Sequence, residues 1–196
     1  EGVGNVWVYS TDRPGGQRLT QGGGFAPVWS PDGAWVYFGS PGFSASRIWR
    51  RRADLSAPPE QFFEDDGRQV PIEFSSDGNI LLYAQVTDAG PDVAILRLGE
   101  EPEPEILLPG DSDTWPQTIS PDGRFVAFTS SESGRNEVYV IEVENRRRWL
   151  ISTSGGNLAR WSPDGETLYY VQGDGLWSVE VSTDPDFTPA PPRQLF

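Results

Sequence analysis

Four short stretches of this chain nearly coincide, and their spacing restricts the possible folds more than any other feature. Trp29-Ser30-Pro31-Asp32-Gly33 and Trp161-Ser162-Pro163-Asp164-Gly165 are almost the same. Ile119-Ser120-Pro121-Asp122-Gly123 differs in its first residue, and Phe74-Ser75-Ser76-Asp77-Gly78 is the most diverged copy. From serine to serine the steps are 45, 45 and 42 residues. A period in the forties, with short apolar runs between turn signals, points to a radial array of small β-sheets. Each copy has a local logic. Serine can hydrogen-bond the backbone ahead of it, proline presets φ, and glycine takes the left-handed conformation that a Cβ resists. A type I turn followed by a left-handed glycine closes an antiparallel hairpin. Asp32, Asp77, Asp122 and Asp164 are therefore turn formers rather than catalytic acids.

The runs between the motifs repeat in the same order. In the first full unit, Ala26 to Trp29 leads into the motif and Ala34-Trp35-Val36-Tyr37-Phe38 returns. Arg47-Ile48-Trp49-Arg50 and Glu60-Gln61-Phe62-Phe63 follow. The second strands are apolar at nearly every position, as expected for a strand covered on both faces. The residue before each motif serine (Trp29, Phe74, Ile119, Trp161) is read as blade core. The one before that (Glu73, Thr118, Arg160) is read as facing a central channel. The expected fold is all-β, a propeller of four-stranded antiparallel blades. Residues 1–24 supply the last two strands of a partial blade. Residues 25–67, 68–113, 114–156 and 157–196 supply one blade each, all within one propeller domain. About four and a half blades do not make a ring of whole blades, so the chain is expected to be an open arc of a larger ring. The lack of Met, even at position 1, also suggests an excised piece.

Composition narrows the chemistry. The chain has no Cys and no His, which removes thiolate and imidazole metal sites, a Ser-His-Asp triad and a histidine general base. The net charge of −14 argues against nucleic acid, because neutralising phosphates needs a basic surface. Arg50-Arg51-Arg52 and Arg146-Arg147-Arg148 run the other way locally and are read as solvated turn residues. No apolar run is long enough to insert in a membrane. No cofactor is expected. Asp111-Ser112-Asp113 and Asp184-Pro185-Asp186 are only weak hints of oxygen ligands for Ca²⁺ and are read as solvated turn acids.

The repeated Ser-Pro-Asp-Gly, the large residue before it, and third strands of the Ile48-Trp49 or Val138-Tyr139 kind resemble the WD-like repeats of TolB-type β-propellers. The resemblance covers essentially the whole chain. The segments Ser120 to Arg124, Ser133 to Tyr139 and Ile151 to Gly165 also resemble the C-terminal propellers of large bacterial sensor and kinase-type proteins. This resemblance implies six blades in a complete domain, an extracytoplasmic setting on the periplasmic or extracellular side, and use as a sensing or protein-binding module. It implies no activity within the chain.

Three functions follow. The first is a non-enzymatic scaffold that binds a protein or peptide on the loops linking one blade to the next. These loops are Gly22–Gly24, Asp65–Gln69, Asp111–Trp115 and Ser154–Asn157, on the mouth opposite the Ser-Pro-Asp-Gly hairpins. Arg68, Gln69, Trp115, Arg135, Asn136 and Asn157 are the candidate binding residues there, with Glu73, Thr118 and Arg160 lining the channel. Trp115 can equally pack between blades. The second is an accessory propeller of a prolyl oligopeptidase-like hydrolase whose catalytic domain lies outside this chain. The third is a lyase or glycan-binding propeller with its site in the channel.

Overall fold

The computed structural model describes residues 4–12, 14–40, 46–110 and 113–196. Among the described residues there are nineteen β-strands and no helix. β1 (Trp7–Tyr9) pairs with β2 (Gly16–Arg18). β3 (Phe25–Trp29), β4 (Trp35–Ser40), β5 (Arg47–Arg52) and β6 (Glu60–Phe63) form an antiparallel sheet in chain order. So do β7 (Arg68–Phe74), β8 (Ile80–Thr87), β9 (Gly90–Arg97) and β10 (Glu103–Leu108). The next sheet contains β11 (Trp115–Ile119), β12 (Phe125–Ser130), β13 (Glu137–Glu142) and β14 (Arg148–Leu150). In the last, β15 (Asn157–Trp161), β16 (Thr167–Gln172) and β17 (Gly175–Ser182) are followed by two short strands, β18 (Thr188–Pro189) and β19 (Arg193–Gln194). Both pair with β17, one after the other.

Successive first strands adjoin: β3 meets β7, β7 meets β11, and β11 meets β15. The sheets therefore radiate from a common inner edge. The second strand of each sheet shows why its residues are apolar throughout. Val36 and Phe38 pack with Val6 and Leu19 on one side, while Tyr37 packs with Leu81 and Tyr83 on the other. Leu82 joins Val126, Phe128 and Ile141 across the next boundary, and Ala127 joins Leu168 and Tyr170 across the last. Alternating side chains of β4, β8 and β12 thus bury into two different interfaces, whereas β16 closes only one and stays partly exposed at Tyr169 and Val171.

All four turns have the same bonding. The serine Oγ–aspartate Oδ1 distances are 2.5, 2.6, 2.6 and 2.5 Å. Each serine Oγ accepts the N–H five residues on (Trp35, Ile80, Phe125, Thr167) at 2.9–3.0 Å. Gly33, Gly78, Gly123 and Gly165 have φ of 67, 75, 73 and 75°. The serine hydrogen bond, helped by the backbone N–H two residues on, holds Asp32, Asp77 and Asp164 below the ordinary carboxylate value. The turns also nest against one another. A Cβ on Gly78 would lie 3.6 Å from Pro31, and one on Gly165 would lie 3.4 Å from Pro121. The diverged copy departs from this pattern for a visible reason. Ser76 stands where the other turns have proline, and its N–H donates to Pro121 O at 3.0 Å, a bond no proline can make.

The residue before each motif serine packs onto the preceding sheet. Phe74 joins Tyr37 and Ile48, Ile119 joins Leu82 and Ile95, and Trp161 joins Phe125 and Val138. Trp29 was expected in the core too, yet it is 49% exposed. On its preceding side stand only β1 and β2, so no first or second strand covers the indole.

Candidate functional site

Three of the loops linking one sheet to the next are held by a residue at or near the start of the third strand. Arg47, Asp92 and Glu137 occupy one repeat position, opposite Ser40, Gln85 and Ser130 across the ladder. Arg47 Nη1 donates to Gly67 O at 2.6 Å, and Gly110 N donates to Asp92 Oδ1 at 2.6 Å. Gly155 N donates to both oxygens of Glu137 at 3.0 Å. Three linking loops are thereby held by their own blades, and one mouth of the array has a fixed shape.

Glu137 is the most enclosed of these groups, with a side chain 2% exposed. It also accepts from Ser152 Oγ, and from Arg135 Nε at 2.7 Å. Burial pushes its pKa up, but the Ser152, Gly155 and Arg135 donors outweigh this and hold it below the ordinary carboxylate value. Arg135 goes on to Thr153 O at 2.6 Å.

The sequence placed six binding residues on this mouth. Four of them, Arg68, Gln69, Trp115 and Asn157, turn out to be the opening residues of inner strands rather than loop residues. Arg68 and Gln69 lie at the boundary of the second and third sheets, and Trp115 at that of the third and fourth. Trp115 packs half-buried against Val70, Ala84 and Val86, with the rest of the ring uncovered. Gln69 is fully enclosed. Its Nε2 donates to Asp65 O at 2.7 Å, and its Oε1 is buried without a partner among the described residues. It shapes the loop and does not project from it. Arg68 is half-buried beside an open cavity of about 740 Å³ that Arg47, Asp66, Thr87 and Asp88 also line. Arg135, Asn136 and Asn157 gather at the fourth-to-fifth boundary, all exposed, with Gly156 N donating to Asn136 O at 2.9 Å.

The expected channel-lining residues form a bonded inner ring. Glu73 Oε2 accepts from Thr118 Oγ1 at 2.5 Å and from Ile119 N at 3.1 Å. Arg160 Nη1 donates to Gln117 O at 2.6 Å. The inner edge of β11 is thus capped from the sheet before it and the sheet after it. This removes the unpaired edge that a strand otherwise presents. Thr118 is buried in this ring and does not reach an open lining.

Leu158 was missed. It is 61% exposed on the inner strand of the last sheet, at φ 53°, a backbone conformation that a bulky side chain rarely adopts. The corresponding residues in the other sheets are Ala26, Pro71 and Pro116. A leucine out of place at this repeat position was the available signal.

The arginine triplets correct the sequence reading of solvated turns. Arg146 reaches Glu105 on the preceding sheet, Arg147 bonds Asp186 on the following one at 3.1 Å, and Arg148 bonds Glu132 at 3.3 Å. Arg51 Nη1 donates to Leu19 O at 2.6 Å, while Arg50 sits 4.4 Å from the centre of Trp35 and bonds Glu60 at 2.6 Å. All fifteen cations of the chain are arginine, whose planar fork suits such bonds to carbonyls, carboxylates and rings. Arg51, Arg146 and Arg147 thus tie neighbouring sheets together, while Arg50 and Arg148 bond within their own.

The opposite mouth carries an acidic recess of about 560 Å³ lined by Asp122, Asp164, Glu166, Glu180 and Asp184. Among the described residues no three acidic side chains converge as a metal site would need. Of the two Ca²⁺ hints, Asp186 is engaged by Arg147, and Asp111 and Ser112 lie outside the described residues. No helix is long and apolar enough to cross a membrane.

No protein-family model matches the sequence, and no curated protein matches it. Solved structures do. A TolB candidate of Agrobacterium tumefaciens aligns at TM-score 0.77 and 20% identity, over 100% of this chain and 75% of that one. The chain has the TolB-like β-propeller fold. TolB from Acinetobacter baumannii aligns at TM-score 0.73 and 18% identity over 96% of this chain, which spans 49% of that protein. A puromycin-hydrolyzing peptidase of Mycobacterium tuberculosis aligns at 0.71 and 16% identity over 94% of this chain, which spans 35% of the peptidase. The TolB-like propeller thus accounts for the sheet order and repeat, and identities this low carry the fold alone.

Proposed function

We infer that this TolB-like propeller is a non-enzymatic scaffold that docks a protein or peptide on its linking-loop mouth. The observation that carries the reading is the set of loop braces at Arg47, Asp92 and Glu137, which hold that mouth in one shape while Arg135, Asn136, Asn157 and Leu158 stand exposed on it. A preformed surface loses less entropy on binding. The carboxylates support the same reading. Those displaced from their ordinary values, such as Glu64, Glu105, Glu137 and Glu142, are displaced downward. A general acid needs the opposite shift. By resemblance to TolB, we place the protein on the extracytoplasmic side.

The test uses a photo-reactive p-benzoylphenylalanine at Asn136, on the mouth, or at Glu101, on the far side, expressed in the source cells. Discrete crosslinked species from position 136 and none from 101 are expected. Crosslinks only from 101, or measurable turnover of chromogenic peptides by the purified chain, would overturn the reading.

A second reading is an accessory propeller gating a hydrolase, favoured by the likeness to the mycobacterial peptidase. It predicts a Gly-x-Ser-x-Gly segment elsewhere in the same gene product, and its absence there removes this reading.

A further inference from the structure

Resting on the reading of the linking-loop mouth as a docking surface, the geometry points to the class of its partner: an extended peptide segment with an apolar side chain flanked by lysines or arginines. Two independent features of the mouth carry this. The first is an apolar collar at its inner edge. Phe25, Ala26, Ile72 and Trp115, from three successive sheets, pack half-exposed against the Val70–Ala84–Val86 cluster. Leu158 stands open to solvent on β15, the inner strand that adjoins β11, which Trp115 opens. An exposed leucine and half-covered aromatic rings on adjoining inner strands suit an apolar side chain, because covering them removes apolar surface from water on both partners.

The second feature is charge. Asp66, Asp88, Asp113 and Asp174 stand exposed on the loops around this collar. The cations of the same mouth are already committed to the fold. Arg47 bonds Ser46 O and Gly67 O, Arg135 bonds Glu137 and Thr153 O, and Arg68 also has an interaction within the chain. These arginines and Arg160 keep their charge, but Asp65, Asp92 and Glu137 stand on the same mouth with the four exposed aspartates, so carboxylates outnumber guanidinium groups and the field there is negative, within a chain of net charge −14. Acidic peptides meet repulsion there, and basic ones are drawn in and oriented. The collar selects the central side chain, and the acidic rim selects its flanks.

The test measures binding of three fluorescein-labelled heptapeptides to the protein by fluorescence polarisation. They are Lys-Leu-Lys-Phe-Lys-Leu-Lys and its analogues with every lysine replaced by Glu or by Ser. Two charge-reversal variants are compared: Asp66→Lys with Asp88→Lys on the mouth, and Glu100→Lys with Glu101→Lys on the far side. Both change net charge equally. Leu158→Ser removes the exposed apolar group from a position where it makes no core contact. The basic peptide should bind at least about tenfold more tightly than the Ser peptide, and the Glu peptide should not bind. The mouth reversal and Leu158→Ser should each weaken the basic peptide about tenfold or more, and the far-side reversal by less than about twofold.

Equal weakening by the two reversals would mean attraction by net charge alone and would overturn the proposal. Tighter binding of the Ser or Glu peptide, still lost in Leu158→Ser, would overturn the partner chemistry and leave the mouth intact. Binding by none of the peptides, or binding untouched by every mouth variant, would remove both the partner chemistry and the docking mouth.

Discussion

Replacing Glu137 with glutamine tests the brace that shapes the mouth. The carboxylate accepts from Ser152 Oγ, from Gly155 N at 3.0 Å on both oxygens, and from Arg135 Nε at 2.7 Å. Glutamine is isosteric but offers one acceptor oxygen and turns an NH₂ toward donors. A hydrogen bond to a buried charged group contributes about 1.5–3 kcal/mol, and a stranded buried donor costs about 1–3 kcal/mol. Arg135 is largely exposed and is rehydrated when its partner goes, so its ion pair adds little. One strong bond lost and one donor misdirected give a loss of about 2.5–6 kcal/mol, or a fall in Tm of about 5–24 °C for a chain of this size. Thermal unfolding followed by tryptophan fluorescence measures the first quantity, and hydrogen exchange at the Gly155 amide measures its location. The pH dependence adds a sign. The Glu137 pKa is lowered in the fold, so its contribution is present above the ordinary carboxylate range and is lost as pH falls through the folded value. The gap between parent and variant should close below about pH 4. A Tm within a degree of the parent, or unchanged protection at Gly155, would refute the reasoning.

Three other substitutions test separate parts of the account. Trp161→Ala should cost about 2–4 kcal/mol, because that ring fills the last interface, whereas Trp29→Ala at the same repeat position should cost under about 1 kcal/mol; urea unfolding of the pair checks the contrast. Ser76→Pro restores the motif yet removes the donor to Pro121 O, so it should destabilise by about 1 kcal/mol, and a rise in Tm would contradict the bond. Gly123→Val should cost at least about 1–2 kcal/mol, since φ is 73° and a Cβ would lie 3.1 Å from Ile80 Cδ1; a variant that melts like its parent would place the turn elsewhere.

The sequence revealed what depends on short-range chemistry. Ser30-Pro31-Asp32-Gly33 and its copies define their own turns, and Val36-Tyr37-Phe38 announces a strand buried on two sides. It was silent wherever the meaning of a residue depends on which distant segment adjoins it. Trp29 and Trp161 are indistinguishable locally, and only the number of strands beside them separates exposure from burial. Arg146-Arg147-Arg148 looks like a solvated run until Glu105 and Asp186 are brought alongside from neighbouring sheets. Gln69 was legible as a mouth residue but not as an enclosed one, because its partners are the carbonyls of a loop whose path is set by the third strand. Leu158 depends on a backbone dihedral that no side-chain pattern reports.

The most direct test of the docking mouth is selection of a phage-displayed random peptide library on the protein. Recovered clones are then challenged with the Asp66→Lys, Asp88→Lys protein, the Leu158→Ser protein, and the Glu100→Lys, Glu101→Lys protein. The account predicts enriched clones whose binding is lost in the two mouth variants and kept in the far-side one. No enrichment, or enriched clones that ignore the mouth variants and are lost only in the far-side one, would contradict it.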